Sequence, residues 1–261
     1  MPVLMYHHFI QDGPVEADTV VSAARFEEQM RALQEGSYTA ITVQQLSCFV
    51  RGEGSLPEKP ILITMDDGYT SNLEIAAPIL ERYGMTATVF VIGINVGQTH
   101  APHTGQPMDL PRFGWEQARV WVEKGVIEIQ SHTYDMHQHE GSGPSGRDGV
   151  LPMPGENSTD YCAALQADFA MARDGLWQGL GVEMDSVSFP YGLYSPQAVQ
   201  ELERLGVVVT FTTQYGCSRV VPGKMGGGQC LKRWGVDESV TGEQLLSALQ
   251  GLEIRAKADV F

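Results

Sequence analysis

The sequence predicts an α/β protein, a single-domain distorted (β/α) barrel with about seven parallel strands. Three observations carry that expectation. Short apolar runs rich in β-branched residues alternate with segments of helical spacing along the whole chain, the pattern of βα units around a parallel sheet. The 261 residues match the usual size of one such barrel. No internal repeat or linker divides them, so residues 1–261 read as one domain.

Pro2–Tyr6 is a short apolar strand that ends at His7-His8. Ser22 to Glu35 has apolar residues at Phe26, Met30 and Leu33, with Ser22 as N-cap and Gly36 as a stop, which is helical spacing. Tyr38–Thr42 is a strand and Val43–Val50 a short helix. Ile61–Thr64 is a buried strand running into Asp66-Asp67-Gly68. Asn72–Tyr83 is helical in pattern, but Pro78 should break or kink it. Thr86–Ile92 is the clearest strand, followed by a polar loop to Arg112. Trp115–Lys124 is a helix and Val126–Gln130 a strand leading into Ser131-His132. Residues 140–158, rich in Gly, Pro and Ser, form a surface loop. Thr159–Leu180 is a helix, Ser186–Phe189 a strand, Ser195–Leu205 a helix. Val207–Thr213 and Cys230–Val236 are strands, and Thr241–Gln250 is the last helix.

Composition removes several function classes. A net charge of −15 argues against a nucleic-acid partner, because phosphate binding needs clustered Lys and Arg. No apolar run approaches the roughly 20 residues of a membrane span. The chain opens Met1-Pro2 without a signal-peptide pattern, which reads as a cytoplasmic protein or a trimmed chain. Cys48, Cys162, Cys217 and Cys230 are far apart and form no Cys-x-x-Cys pair, so neither a disulfide framework nor a thiolate zinc site is expected.

In such a barrel the active site lies at the carboxyl ends of the strands. The residues there are His7-His8, Asp66-Asp67, His132, Pro190-Tyr191-Gly192 and, near a strand, Arg233. That set is rich in metal ligands and proton carriers. Two adjacent carboxylates at a strand end raise one another's pKa or recruit a cation. His132 and His137 are five apart, which suits neither one face of a helix nor one face of a strand, and so requires a turning loop. With Asp67 they make a facial set of three metal ligands with open positions for water. Zinc, cobalt and nickel all suit this set. Serine nucleophile chemistry has no Gly-x-Ser-x-Gly elbow to rest on.

Thr64-Met65-Asp66-Asp67-Gly68-Tyr69 resembles the first motif of the polysaccharide deacetylases, the nodulation-protein-B homology domain of carbohydrate esterase family 4. Ser131-His132-Thr133-Tyr134-Asp135-Met136-His137 is similar to the second motif, in the spacing of the permuted biofilm poly-N-acetylglucosamine deacetylase branch. Phe189-Pro190-Tyr191-Gly192 resembles the third. The resemblance covers nearly the whole chain. It implies one divalent ion, zinc first, held by Asp67, His132 and His137, with Asp66 as general base. It also implies that the Tyr191 backbone N–H helps form an oxyanion hole. Many members carry their general-acid histidine near the C-terminus, and this chain has none after His139. The permuted branch places it in an N-terminal Tyr-His segment, which matches Tyr6-His7, with His8 as the alternative. Ser188 stands where many members have an arginine, and Leu231-Lys232-Arg233-Trp234 resembles the late arginine motif of the permuted branch. Arg233 would then pair with Asp66.

The expected activity is metal-dependent hydrolysis of N-acetyl groups on an N-acetylglucosamine-containing glycan, with an acetylated glycan as partner. The alternatives are an O-acetyl ester substrate such as acetylated xylan, a non-haem iron oxygenase, and a silent sugar-binding module. The family's substrates imply an extracellular or cell-surface parent protein.

Overall fold

The computed structural model describes residues 1–139, 144–224 and 226–258; the first four residues of the loop expected at 140–158 lie outside the described residues. Its strands are β1 (Val3–Tyr6), β2 (His8–Ile10), β3 (Val20–Ser22), β4 (Thr39–Ile41), β5 (Pro60–Asp67), β6 (Ala87–Val91), β7 (Ile127–Ser131), β8 (Ser186–Ser188), β9 (Val209–Phe211) and β10 (Trp234–Gly235). The helices are α1 (Ala23–Glu35), α2 (Val43–Arg51), α3 (Ala77–Arg82), α4 (Trp115–Glu123), α5 (Ser158–Leu180), α6 (Pro196–Arg204) and α7 (Gly242–Ala258).

The main sheet is parallel throughout, in the order β10-β1-β5-β6-β7-β8-β9. β4 joins the first half of β5, where Leu62 pairs with Ile41 on one edge and Val3 on the other. Closure is irregular. Leu231 bridges to Phe211, and three residues later Trp234 pairs with Leu4, so one segment touches both ends of the sheet in turn. The result is a curled, distorted (β/α) barrel.

Alternation along the strands separates two apolar clusters. Ile61, Ile63, Met65, Val89 and Ile129 pack outward against Phe26, Met30, Leu80, Phe169 and Leu176 of the surrounding helices. Val3, Leu62, Phe90, Val209 and Phe211 face inward and meet Val43, Leu46 and Val50 of α2, which plugs the amino-terminal end of the barrel. The plug is tied at both ends. Glu128 of β7 accepts hydrogen bonds from the amides of Val43 (2.6 Å) and Gln44 (2.9 Å), while Arg51 reaches Asp185 at 2.9 Å.

Most elements fall where the sequence puts them, and the differences have local causes. The β2–β3 pair was not expected, because three-residue strands show too little alternation to be read. The helix over Asn72–Tyr83 is a π-helical turn, Asn72–Ala76, continued by α3. Pro78, which has no N–H to give, sits in the first turn of α3, and the Ala77 amide reaches back five residues to Asn72. The strand expected over Cys230–Val236 is reduced to Trp234–Gly235 and the Leu231 bridge, since Cys230 is left-handed at φ +55° and breaks the extended run. Asn157 caps α5 by accepting the amide of Asp160 at 3.0 Å.

Candidate active site

The expected metal ligands come from the end of β5 and from just past the end of β7, with β6 between the two strands. Asp66 and Asp67 are adjacent in β5, so alternation should send them to opposite faces. Asp67, however, has φ +74° and Gly68 φ +71°, which bends the chain over the barrel mouth. Both carboxylates therefore approach one imidazole: His132 Nε2 lies 3.8 Å from Asp66 Oδ2 and 3.6 Å from Asp67 Oδ1. His132 directly follows β7. Thr133, left-handed at φ +71°, starts the turn that brings His137 back, with its Nε2 3.4 Å from Asp67 Oδ1.

One ligand atom from each of Asp67, His132 and His137 lies within 4.8 Å of the others. Asp67 Oδ1 is buried and has no hydrogen-bond partner, while Oδ2 accepts from the Tyr69 hydroxyl at 3.0 Å. A buried carboxylate oxygen left bare is costly unless a cation answers it. His132 Nδ1 donates to the Ser188 carbonyl at 2.7 Å, which leaves Nε2 turned toward the two carboxylates. Burial, then the charge of His132, pushes the pKa of His137 down to about 4, and its Nδ1 lies 3.1 Å from the Tyr191 hydroxyl. Two imidazole nitrogens and one carboxylate oxygen fit a divalent ion of the zinc type.

Asp66 is held apart from that group. Arg233, fully buried, donates from Nη1 to Oδ1 (2.8 Å) and from Nη2 to Oδ2 (2.7 Å), and Ser188 Oγ adds a third bond at 3.2 Å. Burial alone would raise this carboxyl; the Arg233 charge and hydrogen bonds, with His132, hold it well below the usual carboxylate range. Arg233 is fixed in turn, its Nε donating to the Thr212 carbonyl at 2.9 Å.

The two N-terminal histidines part company. His7 faces the centre: burial lowers its pKa, while the charges of Asp66 and Asp67 raise it and those of Arg233 and His132 lower it. His8 points elsewhere, with Nδ1 2.9 Å from Ser71 Oγ, its ring 5.2 Å from that of Tyr69, and Arg112 the charge it feels. Tyr191 occupies a tight turn at φ +58°. The turn's hydrogen bonds run from the Gly192 amide to Phe189 and from the Leu193 amide to Pro190, which leaves the Tyr191 N–H outside them.

Sequence reasoning missed Ser188 and Tyr69 as partners of the two aspartates. Ser188 had a signal: it lies on β8, two residues before Pro190, at the position the resemblance gives to an arginine. Here Arg233 arrives from the other side of the barrel, and a small hydroxyl is all the remaining space needs. Tyr69 had none beyond its place two residues after Asp67.

Comparison with known proteins bears on the family and the fold. The family model described as polysaccharide deacetylase matches residues 53–210. The poly-β-1,6-N-acetyl-D-glucosamine N-deacetylase of Escherichia coli strain K12 is 24% identical over 228 residues, which cover 82% of this chain and 34% of that protein. The protein of that name from Staphylococcus aureus strain MRSA252 is 23% identical over 194 residues, covering 74% and 61%. The chain thus spans about a third to two-thirds of the length of these relatives. Among solved structures, a de-N-acetylase from Aggregatibacter actinomycetemcomitans superposes with a TM-score of 0.77 at 22% identity, over 94% of this chain and 98% of that one. IcaB from Ammonifex degensii gives 0.72 at 22% identity, over 96% and 100%. The family match extends over more than half of the sequence and takes in both the Asp66-Asp67 and the His132–His137 motifs; the chain belongs to the polysaccharide deacetylase family.

Proposed function

We propose that this chain hydrolyses N-acetyl groups on an N-acetylglucosamine-containing glycan, releasing acetate, with residues 1–261 acting as one catalytic domain. The observation that carries the reading is the bare Asp67 Oδ1 facing His132 and His137, with a separate Asp66 beside them in the grip of Arg233. The Escherichia coli and Staphylococcus aureus relatives, poly-β-1,6-N-acetyl-D-glucosamine N-deacetylases by name, support the glycan and the amide bond. A polymeric glycan substrate argues for work at the cell surface or outside the cell. No helix among the described residues is long and apolar enough to cross a membrane.

Asp67, His132 and His137 would hold one divalent ion, zinc by their chemistry, with cobalt or nickel as substitutes. Such an ion supplies Lewis acidity: it polarises the acetyl carbonyl and acidifies water. The protein's residues do the rest. Asp66, kept ionised by Arg233, takes a proton from the attacking water. Arg233 also fixes the direction of that carboxylate and keeps it from swinging to the ion, where its basicity would drop. The Tyr191 N–H, outside the turn's own hydrogen bonds, would donate to the acyl oxygen as negative charge develops there, a contact worth roughly 3 kcal/mol in comparable holes. His7 gives a proton to the departing nitrogen, which an amide needs because an amine anion is a very poor leaving group.

The test is acetate release from an N-acetylglucosamine oligomer by the purified chain. Turnover should stop with chelator, return with zinc, and fall by at least 10²-fold in Asp66→Asn. Oligomer binding without acetate release under any metal would overturn the hydrolase reading. Retained turnover in Asp66→Asn would remove Asp66 as base.

A further inference from the structure

The loop from His132 to His137 is clamped on both sides. Its carbonyls are taken from one side, where Gly93 N donates to Thr133 O at 3.0 Å and Ile94 N to Tyr134 O at 2.9 Å. That approach is close: a Cβ on Gly93 would lie 2.6 Å from Tyr134 Cδ2. Its amides are taken from the other side by one side chain of α5. Asp168 Oδ1 accepts from Tyr134 N at 2.8 Å and Oδ2 accepts from Asp135 N at 2.7 Å. Two successive N–H groups thus end on the two oxygens of one carboxylate, where an amide would offer only one acceptor oxygen. Asp168 is half-buried and borders the inward stripe of Leu165, Phe169, Ala172 and Leu176, three residues after the first and four before the third.

We propose that Asp168 is a positioning residue for the metal centre, holding the Tyr134–Asp135 backbone so that His137 returns to meet Asp67 and His132. The reason is geometric. His132 follows a strand and is aimed by β7 and the Ser188 carbonyl, but His137 reaches the site only through five residues of loop. A loop free to move would let His137 Nε2 leave its place 3.4 Å from Asp67 Oδ1, and the third ligand would be lost from the set. The inference rests on the metal-site reading above.

Zinc affinity, measured on the full chain by competition with a chromogenic chelator, tests it. Asp168→Asn and Asp168→Ala should weaken zinc 10- to 100-fold, the usual effect of removing a residue that supports a ligand. They should lower kcat with KM within about twofold, because the substrate does not touch Asp168. Leu176→Ala, which loosens α5 but removes no hydrogen bond to the loop, should lower Tm and leave zinc affinity unchanged. Wild-type zinc affinity in Asp168→Asn, or an equal loss in Leu176→Ala, overturns the positioning role while leaving the metal site intact. A wild-type chain that binds no zinc overturns both. Should the Asp168 variants fail to fold, amide hydrogen exchange in the metal-free wild type decides. Tyr134 and Asp135 should be protected by at least about 100-fold, and exchange at the rate of an exposed loop overturns the proposal.

Discussion

Arg233 grips Asp66 through both terminal nitrogens, at 2.8 and 2.7 Å, and the pair is almost wholly removed from solvent. Leaving one buried charge without the other is strongly unfavourable, typically by about 3–5 kcal/mol. Arg233→Ala should therefore lose that order of stability in urea unfolding. Arg233→Lys, with one point charge in place of a planar fork, should keep more stability but lower kcat at least tenfold. An Arg233→Ala protein as stable as wild type would mean that water reaches Asp66.

His7 is assigned the proton for the leaving group, so its removal should depend on what leaves. His7→Ala should reduce cleavage of an N-acetylglucosamine oligomer by 10²-fold or more. Cleavage of an O-acetyl ester, whose alkoxide departs without full protonation, should fall by about tenfold or less. Equal losses on both substrates would point to a binding role for His7. The parallel variant His8→Ala, whose partners are Ser71 and Tyr69, should be mild on both.

The Tyr191 turn depends on its glycine. Gly192 has φ +71°, and a Cβ there would lie 2.6 Å from the Thr213 backbone nitrogen and against its hydroxyl. Gly192→Ala should displace the Tyr191 N–H and cut kcat by 10-fold or more. Gly84 also has a positive φ, but with open space around it, so Gly84→Ala should cost only stability. Parallel acetate-release and melting measurements on the two variants would separate the effects.

The helical plug makes stability sensitive to pH. Burial pushes the Glu128 carboxyl up to about 7, against the opposing hydrogen bonds from Thr88 and the Val43 and Gln44 amides. An acid whose folded pKa is raised above its unfolded value, 4.5, favours the fold while protonated. Its contribution is full below pH 4.5 and is lost as pH rises through 7, a change on the order of 3 kcal/mol. Wild-type stability should decline between pH 5 and 8, and Glu128→Gln should flatten that decline in chemical unfolding at the two values. A slope unchanged by the substitution would remove Glu128 as the cause.

What could be read in the chain was what the period of its side chains encodes. Ile61-Leu62-Ile63 and Val89-Phe90-Val91 announce buried strands, Phe26, Met30 and Leu33 a helical face, and Asp67 with His132 and His137 a group that could hold a metal. Short pairings were illegible: β2 and β3 hold three residues each and are fixed by contacts, not by local preference. So was the barrel's closure, where left-handed Cys230 interrupts a run that its apolar neighbours made look like a strand.

The sequence by itself determined the order of the elements, the apolar face each one buries, and which residue types stand at the strand ends. Only the tertiary structure decided which of them meet. It turned Asp67 with a left-handed backbone, brought Arg233 to Asp66 from 167 residues away, chose His7 over His8 to face the centre, and laid Asp168 under the histidine loop. The physical reason is one of range: burial patterns repeat every two to four residues and are written locally. Charge partners and hydrogen bonds across a barrel depend on how far-separated segments come to lie together.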